Sequence, residues 1–173
     1  IYKALTALRI AQQLTERGTD AVPVFWLAAE GHDLAEVNHC DWPGREGLAQ
    51  LEISPADAAG KARSVGRVQL GEGILPLVER AAAQLEGPMA EEIGAALAES
   101  YRPAETFGTA FGRLLARLFA GKGIILLDSL DARWHRLAGS IYRRALADND
   151  NLIAGLLARS KQLDRAGYHA QVK

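Results

Sequence analysis

The stretch VPVFWLAAEGHDLAEVNH, residues 22–39, limits what this chain can fold into more than any other. Residues 22–28 are apolar at every position rather than at every second one. An unbroken run of that length reads as a strand buried on both faces, because a half-solvated strand alternates. Directly after it, Glu30, His32, Asp33, Glu36, Asn38 and His39 crowd into ten residues. Such a cluster either caps a helix or forms the rim of a site.

The segments around this run repeat its logic. Residues 2–17 place Leu5, Leu8 and Leu14 with Ala4, Ala7 and Ala11 on one helical stripe that Gly18 ends. A second apolar strand is expected at Gly123–Asp128, preceded by a helix over 104–119, and a fainter one at Tyr168–Val172, preceded by one bent helix or two over 132–165. Helices alternating with apolar strands predict parallel pairing within one sheet, because parallel neighbours need crossover connections. Residues 41–75 are rich in turn-formers, with GRVQL (66–70) their only strand-like run, and 74–100 reads as two short helices broken at Gly87-Pro88. The expected architecture is therefore an α/β doubly wound parallel sheet, incomplete, with a connective insertion: 1–40 the first part of the core, 41–103 the insertion, 104–173 the second part. In such sheets ligands sit beyond the carboxyl ends of the strands, which is where Glu30, His32 and Asp128 fall.

Several of these residues also have a purely structural reading. Asp33 and Glu36 match a helix-capping pair, and Asp131 could cap a helix starting at Ala132. Glu30 and His32 have no such role, and ionisable groups just past a buried strand must face solvent or one another. His32, Asp33 and His39 match no common zinc spacing, and adjacent His32 and Asp33 point to opposite faces of an extended chain, so no metal is expected. Cys40 beside His39 is read as a spectator thiol, since neighbouring side chains rarely meet productively. GKG at 121–123 precedes a strand, whereas a phosphate loop follows one and opens a helix.

Composition narrows the class further. The 173 residues suit one domain with a core. With 20 basic and 21 acidic residues intermixed, nothing marks a nucleic-acid surface. No apolar run approaches the ~20 residues that span a bilayer. Cys40 is the single cysteine, which excludes an internal disulfide and favours the cytoplasm. Ile1 opens directly into helix-like sequence and GYHAQVK ends abruptly, so the chain is expected to be a piece of a longer protein.

Read together and in order, IYKALTALRIAQQL, VPVFWLAAEGHDLAEVNH, RSVGRVQL, ESYRPAETFGTAFGRLLARLFAGKGIILLDSLD and AGYHAQV resemble the bacillithiol-biosynthesis cysteine-adding enzymes, the BshC family of cysteine ligases. The likeness spans nearly the whole chain. It implies a Rossmann-like core related to class I aminoacyl-tRNA synthetases. The implied activity joins the carboxyl of cysteine to the amine of glucosaminyl-malate in the last step of bacillithiol synthesis, with ATP as the activating nucleotide. It also implies a homodimer formed through a coiled coil outside this chain, and no nucleic-acid or membrane partner. On this resemblance His32, Glu30 and Asp33 are the candidate catalytic residues, and Asn38, His39, Asp128 and Ser129 the candidate substrate- or nucleotide-binding ones. A fragment of this extent is expected to be inactive by itself. A non-catalytic nucleotide- or thiol-sugar-binding relative and a metal-dependent hydrolase are the other readings. The sequence departs from the family at Gly31, where the pattern has an acidic residue.

Overall fold

The computed structural model describes residues 1–44, 47–54 and 63–170. They form two compact units, 1–130 and 131–173. The first opens with α1 (Tyr2–Glu16), whose buried residues Ala4, Leu8 and Ala11 recur at helical spacing. Leu5 and Leu14, expected on the same stripe, are 47% and 40% exposed. They lie outside it because only the i, i+4, i+7 line meets the sheet. Strand β1 is shorter than the apolar run, Val24–Leu27.

After β1 comes a departure from expectation. His39–Gly44 (β2) and Gly47–Glu52 (β3) pair antiparallel, from His39 opposite Glu52 to Gly44 opposite Gly47. The turn-formers suggested only loop there. The hairpin holds because it docks: Trp42 Nε1 donates to the Ala81 carbonyl at 3.1 Å, and Leu51 and Ile53 are buried. Gly47 at φ +118° supplies backbone that other residues adopt only with strain. GRVQL is not a strand either. Its first residues close a 3-10 turn, Val65–Arg67, and Gln69 makes a single antiparallel bridge to Thr106. The two short helices appear as expected, α2 (Ile74–Ala83) and α3 (Ala90–Ser100).

Helix α4 (Phe107–Leu118) starts with a reciprocal cap: the Thr106 hydroxyl accepts from Thr109 N at 3.2 Å, and the Thr109 hydroxyl accepts from Thr106 N at 2.9 Å. It leads into β4 (Ile125–Asp128), which pairs parallel with β1, from Val24 opposite Ile125 to Leu27 opposite Asp128. The expected parallel relation of these two strands is therefore present. One face of the pair is the core: Leu27 packs with Ala4, Leu8, Leu115 and Phe119, with Phe25, Ile124 and Leu126 against them. Strand side chains alternate, and the alternate positions Val24, Trp26 and Ile125 are 48%, 57% and 48% exposed. Burial on both faces, expected from the continuous apolar run, is not what these positions have. A second cluster, Ile53, Leu70, Ile74, Val78 and Ala110, joins hairpin, α2 and α4. Fully burying a side chain such as Leu70 or Leu115 contributes about 1.5–3 kcal/mol.

The second unit is three helices, α5 (Ala132–Leu137), α6 (Gly139–Ala147) and α7 (Asn149–Arg165). The ADNDN segment is thus a true break, at Asp148. Of the third expected strand, residues 168–170 have no strand pairing, and 171–172 lie outside the described residues.

Candidate functional site

The carboxyl ends of β1 and β4 meet at one place, and small residues are what allow it. Ser129, 3% exposed, donates its hydroxyl to the Leu27 carbonyl at 3.0 Å, tying the exit of β4 to the end of β1. The loop after β1 is held by two backbone bonds, Gly66 N to the Ala29 carbonyl at 2.9 Å and Val65 N to the Gly31 carbonyl at 2.6 Å. A Cβ on Gly66 would stand 2.4 Å from Ala29 Cβ and 2.9 Å from Leu130 Cδ1. A Cβ on Gly108, in the first turn of α4, would stand 2.8 Å from the Gly66 carbonyl oxygen. The stack of Ala29, Gly66 and Gly108 therefore sets how closely α4 approaches both strand exits.

The seven candidate residues fall into three groups around this point. Glu30, His32 and Asp33 are exposed on the β1 exit loop. His32 faces solvent rather than the core. Asp33 accepts from Ala35 N at 3.1 Å and caps a 3-10 turn, Leu34–Glu36, so its structural reading is realised, though only on the Asp33 side. Asp128 and Ser129 form the second group. Asp128 Oδ1 accepts from Leu130 N at 2.9 Å, and both residues thus have a structural task at the strand exit. Asn38 and His39 are the third, at the base of the hairpin. Asn38 Nδ2 lies 3.4 Å from both Glu52 Oε1 and the Ile53 carbonyl, and its Oδ1 lies 3.2 Å from His39 Nδ1.

Two cavities lie in the first unit, and of the three groups only Asn38 and His39 line one. The larger, 440 Å³, lies at the carboxyl end of β1 and is walled by Phe25, Trp26, Ala29, Gly66, Phe107 and Phe111 among others. The smaller, 260 Å³, lies between hairpin and helices, and Asn38, His39 and Cys40 line it. Val37, Tyr101 and Phe107 line both, so one wall separates them. Glu30, His32, Asp33, Asp128 and Ser129 line neither.

Burial raises the Tyr101 phenol above its ordinary pKa, with the neighbouring Cys40 adding to it. Burial and then the Asp41 charge raise the Cys40 thiol, which keeps it protonated and a poor nucleophile. Among the described residues, no group of three or more His, Cys, Asp or Glu could hold a metal ion, and no helix is long and apolar enough to cross a membrane. Sequence reasoning missed the cavity walls and Gly66 and Gly108. Their only sequence signal was small residues inside otherwise ordinary segments.

Comparison with known proteins matches these features to a family. A 42% identical relative from Koribacter versatilis, named "Putative cysteine ligase BshC", aligns with 100% of this chain and 32% of its own length. Relatives of the same name from Solibacter usitatus and Chlorobaculum tepidum are 38% and 34% identical, with 32% and 31% of their lengths covered. The chain thus spans about a third of the length of these curated relatives. The family model for the bacillithiol biosynthesis protein BshC, N-terminal Rossmann-like domain, matches residues 1–173. The chain therefore belongs to the BshC family, as its N-terminal Rossmann-like domain.

Proposed function

We propose that this domain is the Rossmann-like part of a ligase that forms an amide between the carboxyl of cysteine and the amine of glucosaminyl-malate, the last step of bacillithiol synthesis. The observation that carries this reading is the family match over the whole chain. The strand exits support it, since a parallel pair ends there beside a cavity of substrate size.

Amide formation from a carboxylate needs an activated acyl group, a neutral amine and stabilisation of the developing oxyanion. ATP is the co-substrate this reading expects, and it would supply the activation of the carboxyl. The flat apolar walls of Phe25, Trp26, Phe107 and Phe111 suit a ring-bearing ligand of that kind. His32 is the residue proposed to take the proton from the attacking amine, because it is an exposed imidazole just past the carboxyl end of β1. Glu30 and Asp33 are proposed to hold the cysteine ammonium or to orient the imidazole. Asp128, Ser129, Asn38 and His39 are proposed to meet hydroxyl groups of sugar or ribose. The reaction is proposed to run in the cytoplasm, as a homodimer of the full-length protein.

The test is product formation by the full-length protein from cysteine, glucosaminyl-malate and ATP, followed by mass spectrometry. A His32→Ala variant should lose about 10²–10⁴-fold in kcat, the range of a general base. Product formed at an undiminished rate would remove His32 from the chemistry, and no product from the unaltered protein would remove the ligase reading. One observation favours a binding-only relative: Gly31 stands where the family pattern has an acidic residue. Calorimetry with each substrate separates the two, since a binder takes up ligand without turnover.

A further inference from the structure

We infer that Lys3 is the anion-binding residue of the larger cavity and takes an oxyanion group, carboxylate or phosphate, carried on a ring-bearing ligand. The inference rests on the ligase reading for the ligand's identity, but its geometry stands apart from it. Lys3 lines the 440 Å³ cavity at the carboxyl end of β1, and among the described residues it is the one ionised side chain there. The rest of the lining is apolar or aromatic, apart from the Tyr101 phenol.

The backbone of Lys3 has a fixed position, and its side chain is exposed. Its neighbour Ala4 is 0% exposed and packs with Leu8, Leu27 and Leu115, so the first turn of α1 cannot drift from the sheet. The first turn of α1 carries no acidic residue, and no carboxylate among the described residues pairs with Lys3. Glu30 and Asp33 follow the same strand yet lie outside the cavity lining. A lysine ammonium with no carboxylate partner is best satisfied by an anion arriving with the ligand, through a charge-assisted hydrogen bond. Phe25, Trp26, Phe107 and Phe111 then offer faces for the ligand's ring. Both a malyl sugar and a nucleotide fit this chemistry, as an anion attached to a ring.

The experiment uses the full-length protein and titrates glucosaminyl-malate and ATP separately, by calorimetry, against the unaltered protein, Lys3→Gln and Lys3→Arg. Lys3→Gln should weaken one of the two by about 10–100-fold, as loss of a charged hydrogen-bond donor does, while Lys3→Arg largely restores it. The ligand affected names the source of the anion. Unchanged affinity for both overturns the proposal. In the unaltered protein, saturating ligand should also slow acetylation of Lys3 by an activated ester, read by peptide mass spectrometry. That readout does not depend on a variant folding, and labelling at an unchanged rate with every ligand likewise overturns the proposal. If Lys3-dependent binding is found but no product forms, the anion site stands and the ligase reading falls. If product forms with KM unaffected by Lys3→Gln, the reverse holds.

Discussion

Two glycines near the strand exits have opposite tolerances, and the difference is measurable. A Cβ on Gly31 would meet nothing within 4 Å, and its φ is not in the left-handed region. Gly31→Asp should therefore change stability by no more than about 1 kcal/mol. A loss above 2 kcal/mol in urea unfolding would show that the loop is packed more tightly than its geometry indicates. Gly66 is the contrast. Its Cβ would collide with Ala29 and Leu130, so Gly66→Ala should cost roughly 1–3 kcal/mol through overpacking. The same shift in α4 should disturb the larger cavity, whose wall includes Gly66 and Gly108. An unchanged urea midpoint for Gly66→Ala would refute the close stack. Ser129 shows a third kind of residue, one proposed for substrate on sequence grounds and found supporting β1 through its hydroxyl. Ser129→Ala should cost about 1 kcal/mol, the usual net value of a buried hydrogen bond, and a thermal melt identical to that of the unaltered protein would contradict it.

At the scale of elements, caps decide where the helices begin. Asp131 caps α5: its Oδ1 accepts from Arg133 N at 2.9 Å, and both carboxylate oxygens take bonds from the Arg133 guanidinium. The Arg133 side chain first, then its backbone N–H, lowers the Asp131 pKa to about 2. An aspartate in an unfolded chain titrates near 3.9. A depressed folded-state pKa means that the stabilisation is fully present above about pH 4 and is lost as pH falls toward 2. The helical signal of α5 should therefore weaken across that window. Following the Asp131 carboxyl carbon by NMR checks this, and a titration midpoint near 4 would rule out the paired cap. The D-x-x-E pattern at Asp33 was legible as a cap, yet it starts only a 3-10 turn. The hairpin was not legible, because its pairing depends on Trp42 reaching Ala81, far along the chain.

The first unit as a whole has two cores that share α4. Leu115 belongs to the cluster on the parallel strands, and Leu70 to the cluster under the hairpin. Leu115→Ala and Leu70→Ala should each cost about 2–5 kcal/mol, since both are almost fully buried. A cost below 1 kcal/mol for either, measured by denaturant unfolding, would mean that its cluster is not packed as described. The sequence by itself determined the parallel pair, because apolar runs separated by helical stripes admit few other arrangements. It also placed Glu30, His32 and Asp33 just beyond a strand, as order along the chain alone requires. Only the tertiary structure decided the cavity and its charge. Lys3, Phe25, Gly66, Phe107 and Phe111 meet there because α1 and α4 pack on one face of β1 and β4 while Gly66 and Gly108 let the backbones close. Periodicity reports which side of an element faces inward. It does not report which other element it will find there, and that pairing is set by packing between residues far apart in sequence.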